Sequence, residues 1–308
     1  NKMRNKKDFN SGGPAGKRSR PEQDKAGSKP GVRTGKGAYA GKREFAARDN
    51  APKARTRPVQ KPTEKVFDEG EAIRLNRYIA NSGVCSRRDA DELITQGLIT
   101  VNGKVVTELG SKVKVSDDVR YNGKRLNPEE KVYILINKPR DMVTTTDDPQ
   151  GRRTVMDLVE GVCTQRIYPV GRLDRNTTGV LLLTNDGELS RKLTHPSSLT
   201  KKIYHVFLDR PIARQHMTDI KKGIELEDGL IQADDIGYAD ESDHSQIGIE
   251  IHSGRNRVVR RIFETLGYKV EKLDRVYFAG LTKKNLAKGH WRFLTKEEIR
   301  NLKTGLMK

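Results

Sequence analysis

Regular patterns of apolar and polar side chains begin near residue 71. Apolar positions recur every three to four residues within 75–79 and again within 90–94, which predicts two short helices. Ser86 stands three residues before Asp89, the spacing of a capping box at the start of a helix. The second helix is therefore predicted to begin directly after Ser86.

Two hairpins are predicted after the helices. Asn102-Gly103 and Asn122-Gly123 each interrupt a short alternating segment. An Asn-Gly pair favours a tight hairpin turn because both of its residues tolerate a positive φ. Residues 71–130 are therefore predicted to form a small module of helices and hairpins.

The rest of the chain is rich in strands, with helices between them. A linker at residues 127–130 leads into this region. Strands are predicted at residues 132–136, 180–183, 201–208, 231–238, 244–251, 273–276 and 277–278, and helices at 154–159, 187–193, 213–223 and 294–298. Trp291, the only tryptophan, is predicted to lie in the core. His195 precedes a proline at a helix end and is predicted to order that loop.

Residues 1–70 show no such pattern. They contain 19 Lys or Arg against eight Asp or Glu, and so carry +11 of the chain's formal net charge of +19. Their apolar side chains are isolated, so this segment cannot bury enough surface to offset the entropy of ordering it. We expect a disordered basic tail. It is either an electrostatic arm that contacts RNA phosphates or a solubilising or lineage-specific extension with no target of its own.

Overall charge and composition limit the possible functions. A net charge of +19 favours a polyanionic partner, with nucleic acid ahead of a membrane. No apolar run is long enough to span a bilayer, so a cytoplasmic protein is expected. Cys85 and Cys163 are far apart and fit buried thiols in a reducing compartment. Neither the cysteines nor the six histidines have metal-ligand spacing, and no metal is expected.

The most informative segment is a polar loop, residues 171–176, which precedes the apolar run 180–183. Asp174 lies in this loop between Arg172 and Arg175. A carboxylate on a rigid turn beside a buried strand can act as a nucleophile or general base. From these residues alone, a surface ion pair between Asp174 and either arginine is an equal alternative.

Two later segments carry further candidate chemistry. Strand 201–208 places Lys202 and Tyr204 on the same face, where a tyrosine ring can stack on a base for roughly 1–3 kcal/mol. A half-buried sheet tyrosine is the alternative. Residues 253–261 form a glycine turn and an arginine-rich helix start, and helix N-termini favour anions. A phosphate or carboxylate site is predicted there.

The string GRLDRNTTGVLLLTNDGEL at residues 171–189 resembles the signature of the RsuA/RluB family of ribosomal RNA pseudouridine synthases. An INKP tetrad, a K-x-Y motif and a G-R-x-x-x-x-R motif stand in the same order as in that family. The resemblance implies that Asp174 is the catalytic nucleophile, that Tyr204 is the active-site tyrosine and that Arg260 pairs with Asp174. Val258 departs from the family pattern, where a polar residue is common, and puts one side contact in doubt.

Residues 74–106 resemble an S4 RNA-binding domain. Together the two resemblances imply an α+β chain in three parts. A disordered basic tail is expected at residues 1–70, an S4 domain at 71–130, and at 131–303 a catalytic domain with a mixed, mainly antiparallel sheet. Ten basic residues are predicted to bind RNA: Arg74, Arg77, Arg87, Arg88, Lys138, Arg172, Lys202, Arg255, Arg257 and Arg261.

The implied activity is isomerisation of a specific uridine in ribosomal RNA to pseudouridine, without metal or cofactor. The large-subunit 23S RNA is the favoured substrate and the small-subunit 16S RNA the alternative. A non-catalytic S4-type RNA-binding protein and a metal-dependent nuclease are the competing hypotheses. The expected partner is ribosomal RNA or a pre-ribosomal particle, bound by a monomer.

Overall fold

The computed structural model describes residues 72–305, which lie within one compact unit. The predicted tail, residues 1–70, is outside the described residues. No helix in the described part of the chain has the length and apolar character needed to cross a bilayer.

The first part of the described chain forms the small module, residues 73–125. Its elements are β1 (Ile73–Arg74), α1 (Leu75–Asn81), α2 (Arg87–Thr95), β2 (Ile99–Val101), β3 (Lys104–Val105), β4 (Lys112–Val113), β5 (Val119–Tyr121) and β6 (Lys124–Arg125). The four strands β3-β2-β5-β6 form one sheet, and β1 pairs with β4. Tyr78, Ile79, Ile94 and Ile99 are buried in a core that belongs to this module. Both predicted Asn-Gly hairpins are confirmed.

The predicted capping box at the start of α2 is also confirmed. The Ser86 hydroxyl accepts from the Asp89 backbone N–H at 3.2 Å, and the Asp89 carboxylate accepts from the Ser86 N–H at 3.0 Å. Reciprocal bonds of this kind satisfy backbone donors that a helix start leaves unpaired.

The remaining elements form the large part, residues 133–304. Its strands are β7 (Tyr133–Lys138), β8 (Tyr168–Pro169), β9 (Thr177–Thr184), β10 (Lys202–Leu208), β11 (Ile224–Leu226), β12 (Gly229–Ile231), β13 (Asp235–Tyr238), β14 (Gln246–Ile251), β15 (Val270–Phe278), β16 (Leu281–Thr282) and β17 (Trp291–Phe293). Its helices are α3 (Gly187–Thr194), α4 (Arg214–Lys222), α5 (Val258–Thr265) and α6 (Lys296–Thr304), with 3₁₀ turns at Val155–Val159 and Pro196–Ser198.

Seven strands of the main sheet follow the order β13-β14-β10-β15-β9-β7-β17, with β8 and β16 attached to β9 and β15. Every pair is antiparallel except β9 with β15, which is parallel. The predicted α+β class and the mixed, mainly antiparallel sheet are confirmed. The strand predicted at 132–136 extends to Lys138, and the two strands predicted at 273–278 are one.

Both faces of the central strands are covered, which explains their continuous apolar runs. Along β9, Leu181 and Leu183 face one core, while Val180 and Leu182 face the other. Alternate side chains of a strand point to opposite faces, so a strand between two cores must be apolar throughout. This burial makes β9 a fixed support for the loop that precedes it.

Two predictions about burial are wrong. Trp291 is 36% exposed and Phe293 is 50% exposed, because β17 is the edge strand of the sheet and pairs only with β7. The ring centroids of these residues lie 5.5 Å apart in an edge-to-face arrangement. Cys85 and Cys163 are half-buried free thiols rather than buried ones.

Candidate active site

Asp174 lies in the loop directly before β9, and a buried lysine holds the loop backbone. The Lys138 ammonium donates to the carbonyl oxygens of Asp174, Arg175 and Thr177 at 3.2, 3.1 and 2.9 Å, and to that of Pro139 at 3.1 Å. Burial lowers the pKa of Lys138 to about 8, and the Asp174 carboxylate opposes this shift. Lys138 was predicted to bind RNA, and this is wrong because the residue is fully buried.

Two residues of the loop after β7 also bond to the backbone on either side of Asp174. The Thr144 hydroxyl donates to the Leu173 carbonyl at 2.8 Å and accepts from the Leu173 N–H at 3.3 Å. The Asp141 backbone N–H donates to the Arg175 carbonyl at 2.9 Å. Since Leu173 is also buried, the loop backbone is fixed while the Asp174 side chain remains one-third exposed.

A glycine allows β9 to approach β15 closely beside this loop. A Cβ at Gly179 would lie 2.1 Å from the Arg275 carbonyl oxygen, and the φ of Gly179 is +111°. No other residue fits at this position without moving backbone. The pairing brings Leu273 and Arg275 of β15 beside Thr177 and Gly179.

Two arginines of the segment around the start of α5 face the Asp174 carboxylate. Oδ2 of Asp174 lies 3.8 Å from Nε of Arg260 and 3.8 Å from Nη1 of Arg257. Arg260 therefore lies close to Asp174, as the sequence predicted. Arg257, predicted only as a phosphate contact, lies equally close.

Arg260 is buried and bonded to the backbone, whereas Arg257 is half-exposed and pairs with carboxylates. Nη1 of Arg260 donates to the Val270 carbonyl at 2.9 Å, while its buried Nε has no hydrogen-bond partner. Burial lowers the pKa of Arg260, the Arg257 charge lowers it further, and Asp174 raises it. The Arg257 side chain is 47% exposed. Nε of Arg260, 3.8 Å from Oδ2 of Asp174, is therefore available to that carboxylate.

Asp174 and Tyr204 line one cavity of about 650 Å³. Tyr204 lies on β10 opposite Arg275 of β15 and is buried except for its cavity side. Burial lowers the pKa of Arg275, and the neighbouring Tyr204 hydroxyl opposes this effect. The cavity thus presents a carboxylate, a tyrosine and four arginines in a space of ligand size.

Lys202 also lines this cavity but is bonded to the backbone. Its ammonium donates to the Thr200 carbonyl at 2.8 Å and to the His252 carbonyl at 2.7 Å. Burial lowers the pKa of Lys202 to about 8, and the Arg275 charge lowers it further. Lys202 has one N–H left for a ligand.

The other predicted RNA-binding residues of the large part differ in their accessibility. Arg172 and Arg255 are exposed and line the cavity, although Arg255 also donates to the Gly229 carbonyl at 2.8 Å. Arg261 binds both carboxylate oxygens of Asp228, at 2.9 and 2.8 Å, and donates to the Asn256 carbonyl at 3.0 Å. These three donors of Arg261 are engaged within the protein, and its contact with RNA stays a prediction.

In the small module, Arg74, Arg87 and Arg88 are exposed as an RNA-binding role requires. Arg77, which is also predicted to bind RNA, forms an ion pair with Glu188 of α3. That pair joins the small module to the large part. Arg77 is therefore engaged before any RNA arrives.

The role predicted for His195 is confirmed. Its Nδ1 accepts from the Ser197 backbone N–H at 3.3 Å, and it begins the 3₁₀ turn that forms part of the cavity wall. Arg275 was missed as a site residue, and Arg257 was predicted to contact phosphate but not to lie beside Asp174. No local pattern marks Arg275, because pairing of β15 with β9 and β10, both far away in sequence, brings it to the cavity.

Comparisons with known proteins agree with this geometry. The family model for RNA pseudouridylate synthase matches residues 132–265, and the S4 domain model matches residues 73–119. The chain is 43% identical to ribosomal large subunit pseudouridine synthase B of Bacillus subtilis, over 75% of this chain and 95% of that protein. It is 35% identical to the dual-specificity RNA pseudouridine synthase RluF of Escherichia coli, over 75% and 78%. A crystal structure of a pseudouridylate synthase superposes with a TM-score of 0.55 at 28% identity, covering 75% of this chain and 99% of that one.

Proposed function

The chain belongs to the RsuA/RluB family of RNA pseudouridine synthases, and we propose that it converts a specific uridine of large-subunit ribosomal RNA to pseudouridine, with Asp174 as the catalytic carboxylate. The observation that supports this most strongly is the position of Asp174. Its side chain is one-third exposed at the wall of the cavity, on a backbone fixed by Lys138 and Thr144, and two arginines lie 3.8 Å from it.

The reaction needs only groups that this cavity offers. The N1–C1′ bond of uridine breaks, the uracil turns, a C5–C1′ bond forms, and the proton from C5 leaves while N1 gains one. No electrons are exchanged with another molecule and no atom is lost, so a carboxylate and proton-transferring groups suffice. Asp174 can attack C1′, remove a sugar proton or add to C6 of the ring, and all three roles require its ionised form.

Two arginines lie beside the negative charge of Asp174. A guanidinium attracts a nearby carboxylate, and a partly buried site strengthens the interaction. Arg260 is the main stabilising group because it is buried and bonded to Val270, whereas Arg257 is half-exposed. The chain therefore places a preorganised cation beside the reacting carboxylate.

Tyr204 provides the surface for the flipped base. A uridine must leave its stack to enter the cavity, which costs a few kcal/mol. Its ring can stack on Tyr204, which returns roughly 1–3 kcal/mol. The hydroxyl beside Arg275 can also transfer a proton, and Tyr204→Phe separates the two roles because it keeps only the ring.

The large-subunit substrate is inferred from the relative with 43% identity, whose name specifies that subunit. Mapping pseudouridines in ribosomal RNA from cells with and without the gene tests this assignment. We expect one large-subunit position to lose its modification and to regain it with the wild-type gene but not with Asp174→Asn. A missing modification in 16S RNA alone would replace the large-subunit assignment with the small-subunit one.

A further inference from the structure

Leu199 has an unusual conformation and an unusual environment. Its backbone is left-handed, with φ 47° and ψ 36°, and its side chain is 60% exposed. Residues other than Gly, Asn and Asp rarely adopt this conformation, because Cβ crowds the following carbonyl. Neither burial nor backbone preference therefore explains a leucine here.

This leucine lines the same cavity as Asp174 and Tyr204. Leu230 of β12, which is 57% exposed, lines it as well. Strained backbone persists at ligand sites because surrounding structure holds it in place, and the strain is then part of the site. Two exposed leucines from separate elements, one of them strained, indicate a ligand surface beyond the catalytic groups.

The chemistry of the nearby wall indicates which ligand fits. Lys202 has one N–H free after its bonds to Thr200 and His252, and it stands two residues from Tyr204 along β10. At about 3.3 Å per residue, the two Cα atoms are about 7 Å apart. Apolar side chains for a base and a cation for a phosphate match a nucleotide. A cavity of about 650 Å³ has room for more than the target nucleoside.

We propose that Leu199 and Leu230 clamp the base of a nucleotide adjacent to the target uridine in the substrate RNA. This inference rests on the proposed function. Flipping the target base leaves its neighbour with one stacking face uncovered. Apolar contact with the two leucines covers that face and keeps the strand open while the target uridine lies against Tyr204.

The test compares Leu199→Asn with wild type on an RNA stem-loop containing the mapped uridine. Asn tolerates a left-handed backbone, so the variant's Tm should rise by about 2–4 °C. Its kcat/KM should fall by about five- to tenfold. Leu230→Ser should show the same fall in kcat/KM, and Phe293→Asn, which removes an exposed apolar side chain outside the cavity, should show none.

A second substrate isolates the interaction. An abasic residue on the 5′ or the 3′ side of the target should lower the wild-type kcat/KM by a similar factor on one side. On that side, the abasic RNA should not lower the kcat/KM of Leu199→Asn any further, because the substitution and the missing base remove the same interaction. Equal kcat/KM in wild type and Leu199→Asn, or independent losses on both sides, would overturn the clamp. A wild-type protein that forms no pseudouridine would instead overturn the proposed function.

Discussion

The small module and the Asp174 loop both depend on basic side chains, but they use them in opposite ways. In the small module, Arg74, Arg87 and Arg88 are exposed. Around Asp174, Lys138 and Arg260 are buried and bonded to backbone carbonyls. A solvated cation can exchange its counterions for RNA phosphates, whereas a buried one holds neighbouring groups in place.

This contrast shows that residue type alone does not assign a role to a cation. Lys138 and Arg88 are both basic residues in segments that match family models, yet one is fully buried and the other exposed. The small module should therefore set RNA affinity and its salt dependence. The Asp174 loop should set the rate of the chemical step.

The largest loss of catalytic rate is expected from Arg260→Met, which tests the role of the buried cations. It removes the buried cation beside Asp174, so kcat should fall by roughly 10²–10³-fold with little change in RNA affinity. The matched control is Arg257→Met, which removes an equally close but half-exposed guanidinium and should cost about tenfold or less. Single-turnover rates and filter-binding affinities measure both quantities, and equal losses in kcat would contradict the distinction between the two arginines.

Lys138→Met should have the next largest effect. It removes the ammonium that donates to four carbonyl oxygens, so the free energy of unfolding should fall by about 1–3 kcal/mol. The displaced loop should lower kcat by at least about tenfold. Urea denaturation and single-turnover rates provide the measurements. If Lys138→Met weakened RNA binding but left kcat unchanged, Lys138 would be an RNA-binding residue rather than a support for the loop.

The double variant Arg87→Ala, Arg88→Ala tests whether the exposed arginines of the small module set RNA affinity. The double variant should weaken RNA binding by about tenfold and reduce the slope of log affinity against log salt by roughly 0.7–0.9 for each phosphate that is no longer neutralised. The rate at saturating RNA should be unchanged. Arg77→Ala is the control, since its guanidinium already pairs with Glu188, and its salt dependence should match wild type. A lower saturated rate in the double variant would mean that the small module takes part in the chemical step.

The smallest effect concerns Lys202 and pH. Its pKa is about 8 in the folded protein and near 10.4 when unfolded. Between these values the unfolded chain holds more protons, so raising the pH favours the folded state. The stability of wild type relative to Lys202→Met should therefore increase from pH 7.5 to pH 9.5 in urea denaturation. Lys104→Met at an exposed site is the control and should show no such change.

The small module was largely predictable because its signals are local. The capping box at Ser86 and the Asn-Gly hairpins involve residues within a few positions of one another. Burial of β9 and the cap at His195 followed from short patterns as well. The family resemblance added what local patterns cannot supply, namely that motifs far apart in the sequence belong to one site.

The rest of the site depends on contacts between segments far apart in sequence. Lys138 meets carbonyls 36 to 39 residues away, and Arg275 reaches the cavity through a pair of strands 95 residues apart. Arg77 and Arg261 also resemble free surface arginines until the structure shows Glu188 and Asp228 beside them. Trp291 was misplaced because its strand turned out to be the edge of the sheet.

The central claim is that Asp174 performs the chemistry while separate residues bind the RNA. The most direct test uses RNA carrying tritium at C5 of its uridines, since a new C5–C1′ bond must release that hydrogen. Wild type should release tritium from the target uridine. Asp174→Asn should bind the RNA with wild-type affinity and release tritium at least about 10³-fold more slowly. Tritium release by Asp174→Asn at the wild-type rate would contradict the assignment of Asp174.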